Sequence, residues 1–181
     1  MNDDDIKGFV AAIGRTILLG DWKPDYIVGI NRGGLLPATL LSHYLNVPMH
    51  TLDVALRNGG EPESNCWMAE DAFGYIDREV RENIEIASHP DKRKNILIID
   101  DINDTGATLA WIQHDWGQGC LPDNNAWDEI WNGGNVRTAV IVNNEASDYK
   151  HIDYSAFDFN KNNDDLWVVF PWEEWWAPKP E

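Results

Sequence analysis

The sequence predicts an α/β domain: a mainly parallel central sheet flanked by helices. Three observations carry that expectation. Short aliphatic runs such as "YIVGI" at 26–30 and "ILII" at 96–99 read as strands buried on both faces. Stretches with apolar residues at helical spacing alternate with them. Two polar, glycine-containing loops, "NRGG" at 31–34 and "DDINDTGAT" at 100–108, each follow a strand and precede a helix. In parallel sheets that position, outside the carboxyl ends of the strands, is where ligands gather.

Taken in order, "DDDIKGFVAAIGRTILLG" sets Ile6, Phe9, Val10, Ile13, Ile17 and Leu18 at helical spacing, with an acidic first turn and Gly20 as a stop. "DYIVGI" is the first strand. "LLPATLLSHYL" is the next helix, with Pro37 tolerated near its start. "VPMHTLDVAL" is the second strand. A polar stretch from about Arg57 to Asn95 follows, containing "NGGEPES" and the helix-compatible "EDAFGYIDREVREN"; it is long for a simple connection, as functional lids often are. "NILIID" is the third strand, "ATLAWIQHDW" a helix, "VRTAVIV" the fourth strand, and "LWVVF" the last strand, closed by "PWEEWWAP". The insertion at 113–135, with Trp116, Trp127 and Trp131, has no assignable structure and is open to two readings, a subunit interface or an extension of the core.

At 181 residues the chain fits one domain. No apolar run is long enough to span a bilayer, and the acidic N-terminus is unlike a signal peptide. Cys66 and Cys120 sit in no metal-ligand spacing and read as isolated reduced thiols, so a cytoplasmic protein is expected. With 14 Lys and Arg against 31 Asp and Glu, the net charge of −17 disfavours a nucleic-acid surface. An anionic ligand would need local compensation from arginine, backbone amides or a bound cation.

Asp100 and Asp101 stand where a buried strand emerges, so one side chain can face a ligand while the other holds the loop. Adjacent carboxylates raise each other's pKa unless hydroxyls, amides or a cation satisfy them. Thr105, Gly106, Ala107 and Thr108 supply backbone N–H groups and hydroxyls at a helix start, a natural phosphate cradle. A ribose 5-phosphate has the matching shape, with vicinal hydroxyls at one end and a phosphate at the other. Helix capping alone would explain "DTGAT" but not the whole string.

That string resembles the PRPP-binding signature of type I phosphoribosyltransferases, and the resemblance implies that family's fold, with a core at about 20–146, a small hood from the C-terminal segment at about 147–176 and a mobile loop at about 58–94. "VGINRGGLLPATLLSHYLNVPMHTLDV" and the C-terminal "LWVVFPWEEW" are similar to the 6-oxopurine branch of that family. The resemblance implies transfer of the phosphoribosyl group from PRPP to guanine, xanthine or hypoxanthine, with release of pyrophosphate. It assigns Asn31, Arg32, Gly33 and Gly34 to the pyrophosphate loop, where the family can hold a cis peptide, and an Arg fork with glycine amides suits a diphosphate. It assigns Asp100, Asp101, Asp104, Thr105, Gly106, Ala107 and Thr108 to PRPP, and Asp104 with Arg32 to catalysis. Trp167 would stack on the base and Val168 would read its edge through backbone groups. Magnesium would be held near Asp100, Asp101 and Glu173, and a dimer or tetramer is common in the family.

In xanthine–guanine members of the branch a lysine after the fourth core strand meets the purine 6-oxo group. Here Asn143 or Asn144 stands in that region, and Asn144 is the candidate base contact. The 58–94 segment is also unlike the family's catalytic loop, and only Arg57 or Ser64 suggest themselves as lid residues. Three alternatives therefore stay open: a non-catalytic PRPP or nucleotide-binding regulator, a transferase for another nitrogen base, and an unrelated magnesium phosphotransfer enzyme.

Overall fold

Asn2 starts the first helix. Its side-chain oxygen accepts the N–H groups of Asp4 and Asp5 at 2.9 Å each, and Asp5 accepts the Asn2 N–H at 2.8 Å, a reciprocal cap. The helix, α1 (Asp3–Leu19), buries Ile6, Val10, Ile13 and Ile17 along one stripe and stops at Gly20. The structure, a computed structural model, describes residues 1–54, 65–75, 88–121, 124–173 and 176. Four further helices are described: α2 (Leu35–Leu45), α3 (Cys66–Phe73), α4 (Ala107–His114) and α5 (Ala126–Trp131).

Five strands form one sheet: β1 (Tyr26–Asn31), β2 (Met49–Asp53), β3 (Ile96–Asn103), β4 (Val136–Asn144) and β5 (Tyr154–Phe159). Their order is β2-β1-β3-β4-β5, and every neighbouring pair is parallel. Alternation along the strands divides the core between two faces. Val28, Ile30, Ile96, Ile98 and Val140 pack with α3, α4 and α5, whereas Ile27, Leu97, Ile99, Ala139 and Ile141 pack with α1 and α2. Burial of each such aliphatic side chain contributes roughly 1.5–3 kcal/mol. From β1 the chain passes to β2 on one side and then to β3 on the other. The sheet thus has its topological switch between β1 and β3, where both polar loops emerge.

The structure departs from the sequence expectations at "LWVVF", at the two cysteines and within the 58–94 segment, and it places the insertion in the core. "LWVVF" is not a strand: residues 164–170 carry no strand pairing, and Leu166, Trp167 and Val169 are exposed. The fifth place in the sheet goes to β5, "YSAFDF", an edge strand whose hydrogen bonds to β4 do not require an aliphatic run. The insertion extends the core: α4 passes into a π-helical turn at Asp115–Cys120, and Trp116, Trp127 and Trp131 are buried with Phe73 and Ile130. Trp116 packs on Trp131 with ring centroids 5.6 Å apart. Cys66 and Cys120 are not free thiols but form a disulfide, with Cα atoms 5.0 Å apart, joining the start of α3 to the end of the π-helical turn. They stand 54 positions apart, a spacing that carries no pairing signal, and the cysteines no longer point to a reducing compartment. Finally, the centre of the expected 58–94 loop is α3, whose Met68, Ala69, Ala72 and Phe73 are core residues. The rest of that loop, including Ser64, and Arg57 just before it lie outside the described residues, apart from 65–75 and 88–94.

Candidate active site

A cleft of about 1290 Å³ opens at the carboxyl ends of β1 and β3. One wall is the turn after β1. The Asn31–Arg32 peptide bond is cis, Arg32 is exposed, and Gly34 donates its N–H to the Ile30 carbonyl at 2.9 Å. Gly33 lies against the opposite wall: a Cβ there would overlap the Asp101 carboxylate. The two loops are thus in van der Waals contact across the floor of the cleft, and only glycine permits that approach.

The opposite wall is the loop from Asp100 to Thr108. Asp100 accepts the Asp101 N–H at 2.9 Å. Burial pushes the Asp101 carboxyl above the ordinary carboxylate range, and the nearby Glu173 charge pushes the same way. The Ile102 N–H and the Asp100 carboxyl oppose the rise by hydrogen bonding. Gly106, at φ +85°, turns the chain into α4, and a Cβ there would lie 2.6 Å from the Tyr149 nitrogen. The first N–H groups of α4 have no carbonyl of their own helix to bond, so the Thr105–Thr108 segment presents donors to the cleft. The loop is braced from beneath. Buried Asn103 donates to Asn143 (2.9 Å) and the Tyr149 carbonyl (3.1 Å) and accepts from the Ser147 hydroxyl (2.8 Å). The Asp148 N–H reaches the Thr105 carbonyl at 3.2 Å.

The third wall is the C-terminal stretch, where Trp167, Val169, Trp172, Glu173 and Trp176 face the cleft. Trp167 is 81% exposed, and Trp172 stacks on Phe170 with centroids 4.8 Å apart. Glu173 accepts the Phe170 N–H at 3.0 Å. Val168 is half-buried against the α1/α2 side of the core rather than along the cleft. Asn144 does not line the cleft either. It is 3% exposed and bonds the Asp104 carbonyl (2.8 Å), the Ala146 N–H (3.0 Å) and the Lys161 N–H (3.0 Å). Asn143 is likewise engaged, donating to Asp158 at 3.0 Å.

The structure brings together Asn31 to Gly33, Asp100, Asp101, Asp104 to Thr108, Trp167 and Glu173 around one space, with Gly34 packed just beneath. It adds residues that the sequence did not single out. Asp53, at the end of β2, joins the acidic floor, and Lys161 forms an ion pair with Asp104 at 2.8 Å. The signal for Asp53 was its place at a strand end; Lys161 carried none, because β5 was not expected. Among the described residues no three His, Cys, Asp or Glu side chains converge on a metal. Asp100, Asp101 and Glu173 line the cleft, and their carboxylates are hard oxygen donors of the kind magnesium takes when most of its other ligands are substrate and water.

A parallel sheet with an acid pair, a helix-start phosphate cradle and a glycine-rich turn meeting at its switch point defines a nucleotide-type α/β enzyme of the type I phosphoribosyltransferase fold. The sequence agrees over nearly its whole length: residues 3–179 match the model of the phosphoribosyl transferase domain, and the chain belongs to that family. It is 25% identical over 170 residues to hypoxanthine-guanine phosphoribosyltransferase of Schizosaccharomyces pombe, covering 86% of this chain and 80% of the relative. Its fold is similar to that of a purine phosphoribosyltransferase from Pyrococcus horikoshii, with a TM-score of 0.62, 24% identity, and 100% and 96% of the two chains covered. It is also similar to the xanthine-guanine-hypoxanthine phosphoribosyltransferase of Helicobacter pylori, with a TM-score of 0.60, 16% identity and coverage of 96% and 91%. The protein is a phosphoribosyltransferase.

Proposed function

We propose that the enzyme transfers the 5-phosphoribosyl group of PRPP to a 6-oxopurine and releases pyrophosphate, the reaction of purine salvage. The observation that carries this reading is the contact of the two loops across the cleft. Gly33 against Asp101 brings a diphosphate-type turn and a ribose-type acid pair to one floor. The aromatic wall of Trp167, Trp172 and Trp176 gives a planar base a face on which to lie.

In this mechanism the Thr105–Thr108 amides and hydroxyls hold the 5-phosphate, and Asp100 and Asp101 accept hydrogen bonds from the ribose hydroxyls. Arg32 and the glycine amides hold the diphosphate and stabilise the charge that grows on it as the bond to C1 breaks. The ribose passes through an oxocarbenium-like state, and the acidic floor around it suits positive charge. Asp104 takes the proton that the base sheds as its nitrogen bonds C1. Asp100, Asp101 and Glu173 would hold a magnesium ion, which would supply Lewis-acid neutralisation of the diphosphate. A net charge of −17 repels free polyanions, so activity should depend on magnesium and on salt. A homodimer or tetramer fits the family, and sedimentation would establish the number.

The test is an assay with PRPP and magnesium against guanine, xanthine, hypoxanthine and adenine separately, measuring nucleotide and pyrophosphate. Turnover of at least one 6-oxopurine, with adenine unused, is expected. Turnover of adenine alone would replace the acceptor. PRPP binding without turnover of any base would make the protein a regulator.

A further inference from the structure

Three chain segments meet beside the cleft at the carboxyl edge of the sheet. Asp104 follows β3, Asn144 ends β4, and Lys161 lies just beyond β5. Buried Asn144 clamps the other two by their backbones, donating to the Asp104 carbonyl at 2.8 Å and accepting the Lys161 N–H at 3.0 Å. On that clamp the Lys161 Nζ reaches Asp104 Oδ1 at 2.8 Å. Trp167 stands next to this pair, lining both the cleft and the shallow groove that Lys161 helps to form.

We propose that Lys161 is a positioning residue for Asp104, fixing one carboxylate oxygen so that the other is presented to the base. This rests on the proposed role of Asp104 as proton acceptor. A carboxylate turns easily about its last torsion, and the floor beside it carries Asp53, Asp100, Asp101 and Glu173, none of which can hold it in place. Among the described residues, Lys161 is the cation that pairs with Asp104. The Lys161 side chain is 47% exposed, and a pair so placed does little for folding, so stability does not account for it. The backbone clamp is what distinguishes it from a loose surface pair. Both backbones are held at fixed positions by a residue that is 3% exposed, so the Lys161 side chain starts from a fixed point within reach of Asp104.

The experiment compares kcat and KM of the full-length wild type, Lys161→Met, Lys161→Arg, Asp104→Asn and the double variant Lys161→Met/Asp104→Asn. Lys161→Met should lower kcat about ten- to a hundredfold, as misplacement of a catalytic group does, with KM for PRPP within about twofold. Lys161→Arg should keep more than about half of wild-type kcat. In the Asp104→Asn background Lys161→Met should cost less than about twofold, because both changes remove one function. Unchanged kcat in Lys161→Met, or a loss that multiplies with that of Asp104→Asn, would overturn the inference while the proposed reaction stands. A wild type inactive with every 6-oxopurine would overturn both. Should the methionine variant fail to fold by circular dichroism, Lys161→Gln takes its place with the same expected losses.

Discussion

The loops after β1 and β3 and the C-terminal stretch at 161–173 line the same cleft by different means. The loops are tied to the sheet through their backbones. Gly33 touches Asp101, Gly106 touches Tyr149, and Asn103 braces the turn from below. The C-terminal stretch has no strand pairing over 164–170 and meets the cleft with large side chains, Trp167 being 81% exposed. The difference follows from what each would hold. A phosphate or diphosphate needs several donors at fixed points, which backbone amides on a rigid frame supply. A neutral planar base needs a broad apolar face, which a side chain can present without a fixed backbone.

The sharpest way to break this comparison is inside the rigid region. Asp104→Asn keeps the shape but exchanges one acceptor oxygen for an N–H donor and removes the proposed proton acceptor. It should lower kcat about 10²- to 10⁴-fold with little change in KM for PRPP. Steady-state kinetics that found kcat intact would remove Asp104 from proton transfer. Gly106→Ala should act on binding instead. Its φ of +85° and the nearby Tyr149 backbone leave no room for a Cβ, so the helix start must shift away from the phosphate. An increase of about a hundredfold in the calorimetric Kd for PRPP is expected. A Kd within about threefold of wild type would show that the cradle is adaptable and the contrast overstated.

The same contrast explains what could be read from the sequence. Four strands, the helices α1, α2 and α4 and both loops were legible, because each rests on a local pattern: an aliphatic run, a helical stripe, or glycines and hydroxyls at a strand end. The fifth strand was not, because edge strand β5 draws its pairing from β4 rather than from its own side chains. "LWVVF" has strand-like composition, yet Leu166, Trp167 and Val169 are exposed on a stretch that borders the cleft. The Cys66–Cys120 bond and the Asp104–Lys161 pair join residues 54 and 57 positions apart, and neither spacing carries a signal. Asn144 stands in the region where the family has a base-contacting lysine, but its side chain turns inward to clamp its neighbours.

A smaller effect is expected from the open wall. Trp167→Ala removes a face that contributes little to packing, so the melting temperature should hardly change. If the indole stacks on the base, about 1–3 kcal/mol of base binding is lost, which reads as KM for the purine rising on the order of tenfold with KM for PRPP unchanged. A change in the PRPP constant instead would mean that this wall also serves the phosphate side, and the division between the two regions would fail.

The smallest effect separates function from stability at the floor itself. Folded Asp101 holds its proton more tightly than the unfolded chain does, chiefly because it is buried and secondarily because Glu173 lies near. Its contribution to stability is therefore complete below the unfolded carboxylate range, around pH 4, and is lost as pH rises through the folded value. Above that folded value the free enzyme carries a buried charge at a net cost. Asp101→Asn removes that charge while its amide oxygen can still accept the Ile102 N–H. The variant should be more stable at pH 7 by about 1 kcal/mol, or roughly 2–4 °C in melting temperature, and the gain should shrink toward pH 4. Wild type should recover the difference when PRPP and magnesium are added, and the variant should not. A variant that melted lower at pH 7, or showed the same gap at both pH values, would mean that Asp101 supports the fold and is not held there, at a cost, for its ligand.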